Sequence, residues 1–310
     1  MSIRVFVIMG PTGAGKTELT EALDPARFEV ISCDSRQIYR EMEIGTAAPD
    51  TETLARMPHH LVGIISPAEE FSAGRFARRT RELIHDIDSR GKQACIVGGS
   101  GFYFRALKSG MFGASAVPPE VRDQVMAMSP AERLQELEET DPAALNPPQA
   151  REQIPGLIHR NDEYRIARAL EVFRSTGRTW SEHWQAARGR VDAPEKGEFD
   201  FRGWKLETNQ GDYWDRLLQR ACKMIKDGLL EETRAVLDKY GPECPGLRTL
   251  GYDRALDVVQ GRMPAAELPE ELMIRHRQYG KKQRTWFKRE ADLESITAPE
   301  LARELRSDVQ

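Results

Sequence analysis

Apolar and polar positions change period along the chain, and the changes mark its elements. Residues 4–9 (RVFVIM) are an almost unbroken apolar run, which predicts a buried strand ending at Gly10. Gly15 to Leu23 reads as a helix stopped by Pro25, and Glu29–Cys33 as a second short strand ending at Asp34. Phe76–Asp88 has helical spacing, and Lys92–Val97 is a third buried strand closed by Gly98 and Gly99. Strands alternating with helices predict a parallel α/β sheet with right-handed crossovers.

The texture changes after Met111. Ser129-Pro130-Ala131-Glu132 has the form of a capping box with proline at the first helical position. Asp162–Ser175 carries Ile166, Leu170 and Phe173 on one helical face, and Gly177 ends it. From Glu195 to Leu206 the chain turns strand-like again. Asp212–Gly228 reads as a long helix with Asp212 as N-cap, followed by Leu229–Lys239. Tyr252 to Arg289 is helical with a break near Gly261–Pro264. The expected organisation is a core in two parts, residues 1–114 and 196–310, interrupted by a helical insertion over 115–195.

Length and charge narrow the classes. A chain of 310 residues can bury a sizeable core without disulfides or structural metal. Cys33, Cys95, Cys222 and Cys244 scatter without a C-x-x-C pair, which fits reduced thiols in a cytoplasmic protein. His59 and His60 are adjacent, a poor spacing for two metal ligands on one helical face. The run Val5–Met9 is too short for a signal-peptide core, and nothing approaches a membrane span. No long exposed apolar stripe is evident, so a monomer is expected.

Gly10-Pro11-Thr12-Gly13-Ala14-Gly15-Lys16-Thr17 matches G-x-x-x-x-G-K-[ST] between a strand and a helix. Glycines let backbone N–H groups surround phosphate oxygens, and the helix N-terminus adds positive potential. Lys16 supplies a point charge, and the Thr17 hydroxyl can ligate Mg²⁺. The motif implies a bound di- or triphosphate without saying which. The third strand runs into Gly98-Gly99-Ser100-Gly101 with no carboxylate, where P-loop NTPases usually hold magnesium. The available strand-end carboxylate is Asp34, suited either to accepting a proton or to a helix cap or outer metal shell. These features leave open a transferase, a small-molecule kinase and a nucleotide-dependent RNA-binding module.

Further blocks narrow the reading: Asp34 to Arg40, Met42 to Ala47, Pro58 to Leu61, Phe71-Ser72, Val97 to Tyr103, Asn161-Asp162, Arg168 to Val172, Gly251-Tyr252 and Lys281 to Phe287. In this order, over most of the chain, the sequence resembles the tRNA dimethylallyltransferases, or isopentenyl-diphosphate:tRNA isopentenyltransferases. The resemblance implies transfer of a dimethylallyl group from its diphosphate to the N6-amine of the adenosine 3′ of the anticodon. The tRNAs would be those reading codons that begin with U. It implies Asp34 as general base, and Gly10 to Thr17 with Arg216 and Arg220 at the diphosphate. Ser100 stands where the family most often has threonine, keeping a hydroxyl near the reacting groups. Gly13 and Ala14 replace the family's usual Ala-Ser, so one hydroxyl is missing from the loop.

By the same resemblance the anticodon stem-loop of tRNA would meet Asp34, Ser35, Arg36, Gln37, Ser100, Arg122, Tyr164, Arg165, Arg168, Arg248, Gly251, Tyr252, His276, Lys281, Lys282 and Gln283. Charge agrees with an RNA partner only locally. The whole chain is −4, but residues 273–289 carry seven Lys+Arg and no carboxylate. Tyr279, Trp286 and Phe287 interleave with these cations, as expected for a segment that grips phosphates and stacks on unpaired bases. Aromatics inward and cations outward would satisfy core and RNA together.

Overall fold

The computed structural model describes residues 2–110, 117–147, 157–186, 197–208, 210–290 and 292–307. Its strands are β1 (Ile3–Met9), β2 (Phe28–Cys33), β3 (His59–His60), β4 (Gln93–Gly98), β5 (Phe199–Glu207) and β6 (Glu294–Thr297). They form one sheet in the order β3-β2-β4-β1-β5-β6, with every neighbouring pair parallel.

The helices are α1 (Lys16–Glu21), α2 (Glu43–Thr46), α3 (Thr51–Arg56), α4 (Ala73–Ser89), α5 (Gly101–Ser109), α6 (Pro119–Ala127) and α7 (Pro130–Thr140). They continue with α8 (Glu163–Thr176), α9 (Trp180–Ala186), α10 (Gln210–Lys226), α11 (Leu229–Tyr240), α12 (Tyr252–Val259), α13 (Leu268–Phe287) and α14 (Ala298–Ser307).

The chain divides into two compact units, one of Met1–Lys108 with Pro194–Gln310 and one of Ser109–Ala193. The sequence boundaries of 115 and 195 thus correspond to 109 and 193, and residues 115 and 195 lie outside the described residues. In the sheet unit, Ile8 on β1 packs with Leu19, Val97, Leu206 and Leu301 in one buried cluster, which places α1 and α14 on the same face. Val5, Val7 and Met9 alternate to the other face, all fully buried, and α4 lies against β1. Ser72 caps α4 by accepting from Arg75 N–H. The adjacent histidines go to structure. His60 Nε2 lies 2.8 Å from buried Glu29, which Arg90 and Lys92 also neutralise, and His59 Nδ1 bonds the Met57 carbonyl.

The helical unit has its own core of Val125, Leu137, Leu145, Ile158, Ile166 and Leu170. Both arms of the Ser129–Glu132 capping box form. Asp162 caps α8 through Arg165 N–H, and Gly177 ends it in the left-handed region at φ 69°. One cap is corrected. α10 starts at Gln210, so Asp212 lies in the first turn, where its charge still favours the helix dipole.

Candidate active site

Parallel register brings the three functional loops to one edge of the sheet. Met9 and Cys33 both pair with Gly98, so β1, β4 and β2 end side by side. Backbone bonds stitch the loops that follow. Gly10 N–H donates to the Gly98 carbonyl, while Gly99 and Ser100 N–H both donate to the Cys33 carbonyl. Ligands of open α/β sheets bind at this carboxyl edge.

In the phosphate loop Gly13 and Gly15 take positive φ, 73° and 83°, which glycine permits without strain. Lys16 Nζ donates to the carbonyls of Gly10 (3.0 Å) and Pro11 (2.8 Å), leaving one of its three N–H groups to aim elsewhere. Burial lowers the Lys16 pKa to about 8. Asp34 pulls it up and Arg220 pushes it further down. Thr17 is exposed on the first turn of α1.

Asp34 is half-buried, and its Oδ1 accepts from Arg36 N–H at 2.9 Å, which orients the carboxylate at the end of β2. Ser100 is buried, and its Oγ accepts from Ser35 N–H at 3.0 Å. Gln37 spans Ser32 and the Ala47 carbonyl, tying the segment after Asp34 to α2. The Asp34 loop is therefore a braced element.

Arg216 and Arg220 differ in placement. Arg216 is exposed, whereas Arg220 is half-buried, and its Nε is buried with no hydrogen-bond partner among the described residues. Burial holds the Arg220 guanidinium below its usual pKa, with Asp34 opposing that shift and Arg36 adding to it. An Arg220 Nε–H left unpartnered near Lys16 is a donor free for an anion.

Helix α13 faces both ways. Lys281 and Lys282 are exposed, as are Lys288 and Arg289 just past its end, and Leu272, His276, Gly280, Gln283 and Phe287 are buried. His276 (3% exposed) and Gln283 (5% exposed) were expected at the RNA surface, but the structure places both inside. His276 bonds the Leu272 carbonyl, and burial with Arg220 and Arg36 nearby lowers its pKa to about 3, so it stays neutral. Gln283 bridges Thr12 and Gly99. Tyr252 is likewise corrected to a core residue, 0% exposed, its hydroxyl bonded to Glu232 and Gly45. Gly251 is buried, while Arg248 is exposed and paired with Glu243.

Within the helical unit, Arg122 on α6 and Tyr164 on α8 are exposed, Tyr164 by 80%. Arg165 pairs with Asp162 and Arg168 with Glu171. Tyr213 and Arg284 were missed as site residues. The Tyr213 hydroxyl donates to the Thr12 carbonyl, and the Arg284 guanidinium lies over its ring. For Tyr213 the signal was the stripe Tyr213, Leu217, Ala221, Met224, which marks the inward face of α10, whereas Arg284 on α13 had no such signal.

A strand–glycine-loop–helix turn, two cations beside it and a strand-end carboxylate, all on one edge of a parallel sheet, define an α/β protein of the P-loop type. A family model for IPP transferase matches residues 37–290, and the chain belongs to that family. The tRNA dimethylallyltransferase of Leptospira biflexa is 41% identical, over 94% of this chain and 94% of that one. That of Leptospira interrogans is 36% identical over 97% of each. The solved full-length tRNA isopentenylpyrophosphate transferase of Bacillus halodurans is 28% identical, covers 99% of this chain and 95% of that chain, and superposes with TM-score 0.66.

Proposed function

We propose that this protein transfers a dimethylallyl group from dimethylallyl diphosphate to the N6-amine of the adenosine 3′ of the anticodon in tRNAs reading codons that begin with U. The observation that carries the reading is the convergence of the phosphate loop, Asp34 and the Gly99–Ser100 turn on adjoining strand ends. The N6 nitrogen attacks the first prenyl carbon, a C–N bond forms, and the C–O bond to diphosphate breaks. Asp34 accepts the N6 proton. Lys16, Arg220 and the loop amides receive the charge that develops on the leaving diphosphate, the electrostatic effect that often contributes most to such steps.

Among the described residues no three His, Cys, Asp or Glu side chains cluster as a metal cage. The Thr17 hydroxyl on the loop instead fits Mg²⁺ shared with substrate phosphates and water. Bound there, Mg²⁺ would neutralise diphosphate charge. The exposed cations Lys281 and Lys282 fit RNA phosphates, and the target adenine must leave its stack to meet Asp34. No described helix is long and apolar enough to cross a membrane.

The test is transfer of labelled dimethylallyl from its diphosphate to tRNA without ATP. Asp34→Asn should lower turnover by roughly 10²–10⁴-fold, the range for a general base, while tRNA still binds. Full turnover in that variant removes Asp34 as base. ATP consumption without prenyl product would point to a kinase, and tRNA binding without product to a binding module.

A further inference from the structure

The Thr12 peptide is held from both sides by helices encoded far away in the sequence. Its N–H donates to Gln283 Oε1 on α13 at 2.9 Å, and its carbonyl accepts from the Tyr213 hydroxyl on α10 at 3.0 Å. The other end of the Gln283 amide donates to the Gly99 carbonyl at 2.9 Å. Turning that amide over would face donor to donor at Thr12 and acceptor to acceptor at Gly99, so only one orientation satisfies both neighbours. Gln283 and Tyr213 are both buried, so neither side chain has water as a substitute partner.

Two glycines make room for this arrangement. A Cβ on Gly99 would lie 2.1 Å from Gln283 Nε2, and a Cβ on Gly280 would lie 2.2 Å from the Tyr213 hydroxyl. The Arg284 guanidinium, 5.0 Å from the centre of the Tyr213 ring, packs over that ring. Resting on the diphosphate reading above, we propose that Gln283 and Tyr213 are positioning residues that fix the phosphate loop through the Thr12 peptide. With its N–H committed to Gln283, Thr12 serves as the fixed hinge of the cradle. With Ala14 N–H donated to the Pro11 carbonyl, the donors left for diphosphate are the amides of Gly13 and of Gly15 onward with Lys16. Gln283 follows Lys281 and Lys282, so the helix that presents cations outward also shapes the donor site on its inner side.

The experiment compares wild type with Gln283→Met, which keeps bulk but removes both amide bonds, and with Tyr213→Phe, which removes only the hydroxyl. Steady-state transfer gives separate KM values for dimethylallyl diphosphate and for tRNA. Calorimetry with inorganic pyrophosphate and Mg²⁺ reads loop affinity without catalysis. The expected result for Gln283→Met is a rise of about tenfold in donor KM and in pyrophosphate Kd, with tRNA KM within about twofold of wild type. Tyr213→Phe should move the same two constants by about threefold. Unchanged donor KM and pyrophosphate Kd in the folded variants would overturn the proposal, as would equal weakening toward donor and tRNA. If Gln283→Met fails to fold, Tyr213→Phe decides alone. If wild type transfers no prenyl group, the functional reading fails while the pyrophosphate titration still tests the clamp.

Discussion

The guanidinium of Arg36 lies 3.9 Å from the centre of the Tyr279 ring, stacked face to cation. This contact joins the Asp34 loop to α13, and burial raises the Tyr279 pKa against the pull of Arg36. A stack this desolvated should be worth about 0.5–2 kcal/mol. A double-mutant cycle with Arg36→Met and Tyr279→Leu, read by chemical unfolding, should return a coupling in that range. Additive single effects would show that the stack does not hold the loop.

Lys16 gives a pH dependence with a definite sign. Its pKa falls from 10.5 to about 8 on folding, so the unfolded chain binds more protons between those values. The charged side chain therefore costs the free protein stability below about pH 8, and that cost is relieved as pH rises toward 10.5. Anion binding runs the other way, because it needs the ammonium. Pyrophosphate affinity should decline as pH passes about 8 in wild type and stay flat in Lys16→Arg. A flat wild-type profile would remove Lys16 from the diphosphate site.

Gly101 should not tolerate a methyl group. A Cβ there would lie 2.2 Å from ring carbons of Trp286, so α13 or the turn after β4 would have to shift. Overpacking of this kind costs about 1–3 kcal/mol. Gly101→Ala should lower the denaturation midpoint and red-shift tryptophan emission. An unchanged midpoint would show that the contact is slack.

Lys281 and Lys282 are exposed on the outer face of α13, where RNA phosphates can reach them. Replacing both with serine should weaken tRNA binding and flatten its salt dependence. Each lost phosphate contact should remove roughly 0.7–0.9 from the slope of log affinity against log salt. An unaltered slope would place RNA on another surface.

Much of the sheet was legible because β1, β2 and β4 are apolar-rich runs closed by glycine or aspartate, the mark of strands buried on both faces. β3 and β6 were not. His59–His60 has only two residues, and β6 lies in a tail whose acidity dominates its composition. The phosphate loop and Asp34 were legible from their flanks. The inner face of α13 was hidden because His276 and Gln283 are polar residues at core-facing positions. Composition assigns such residues to the surface, and only their hydrogen bonds explain their burial. Arg220 was separable from Arg216 only in three dimensions, since both lie on the same helix four residues apart.

The discontinuity of the sheet unit sets an order of events during synthesis. β1 gains β4 from the first hundred residues, but β5 reaches its other edge only after the whole helical unit has been made. That unit draws its core from one continuous stretch and can close first on the ribosome. Until then β1 keeps an unpaired edge, the kind that invites pairing with another chain. The loop after β1 waits longer, because its Thr12 braces arrive with α10 and α13. The phosphate cradle is translated before the helical unit and takes its working shape after it.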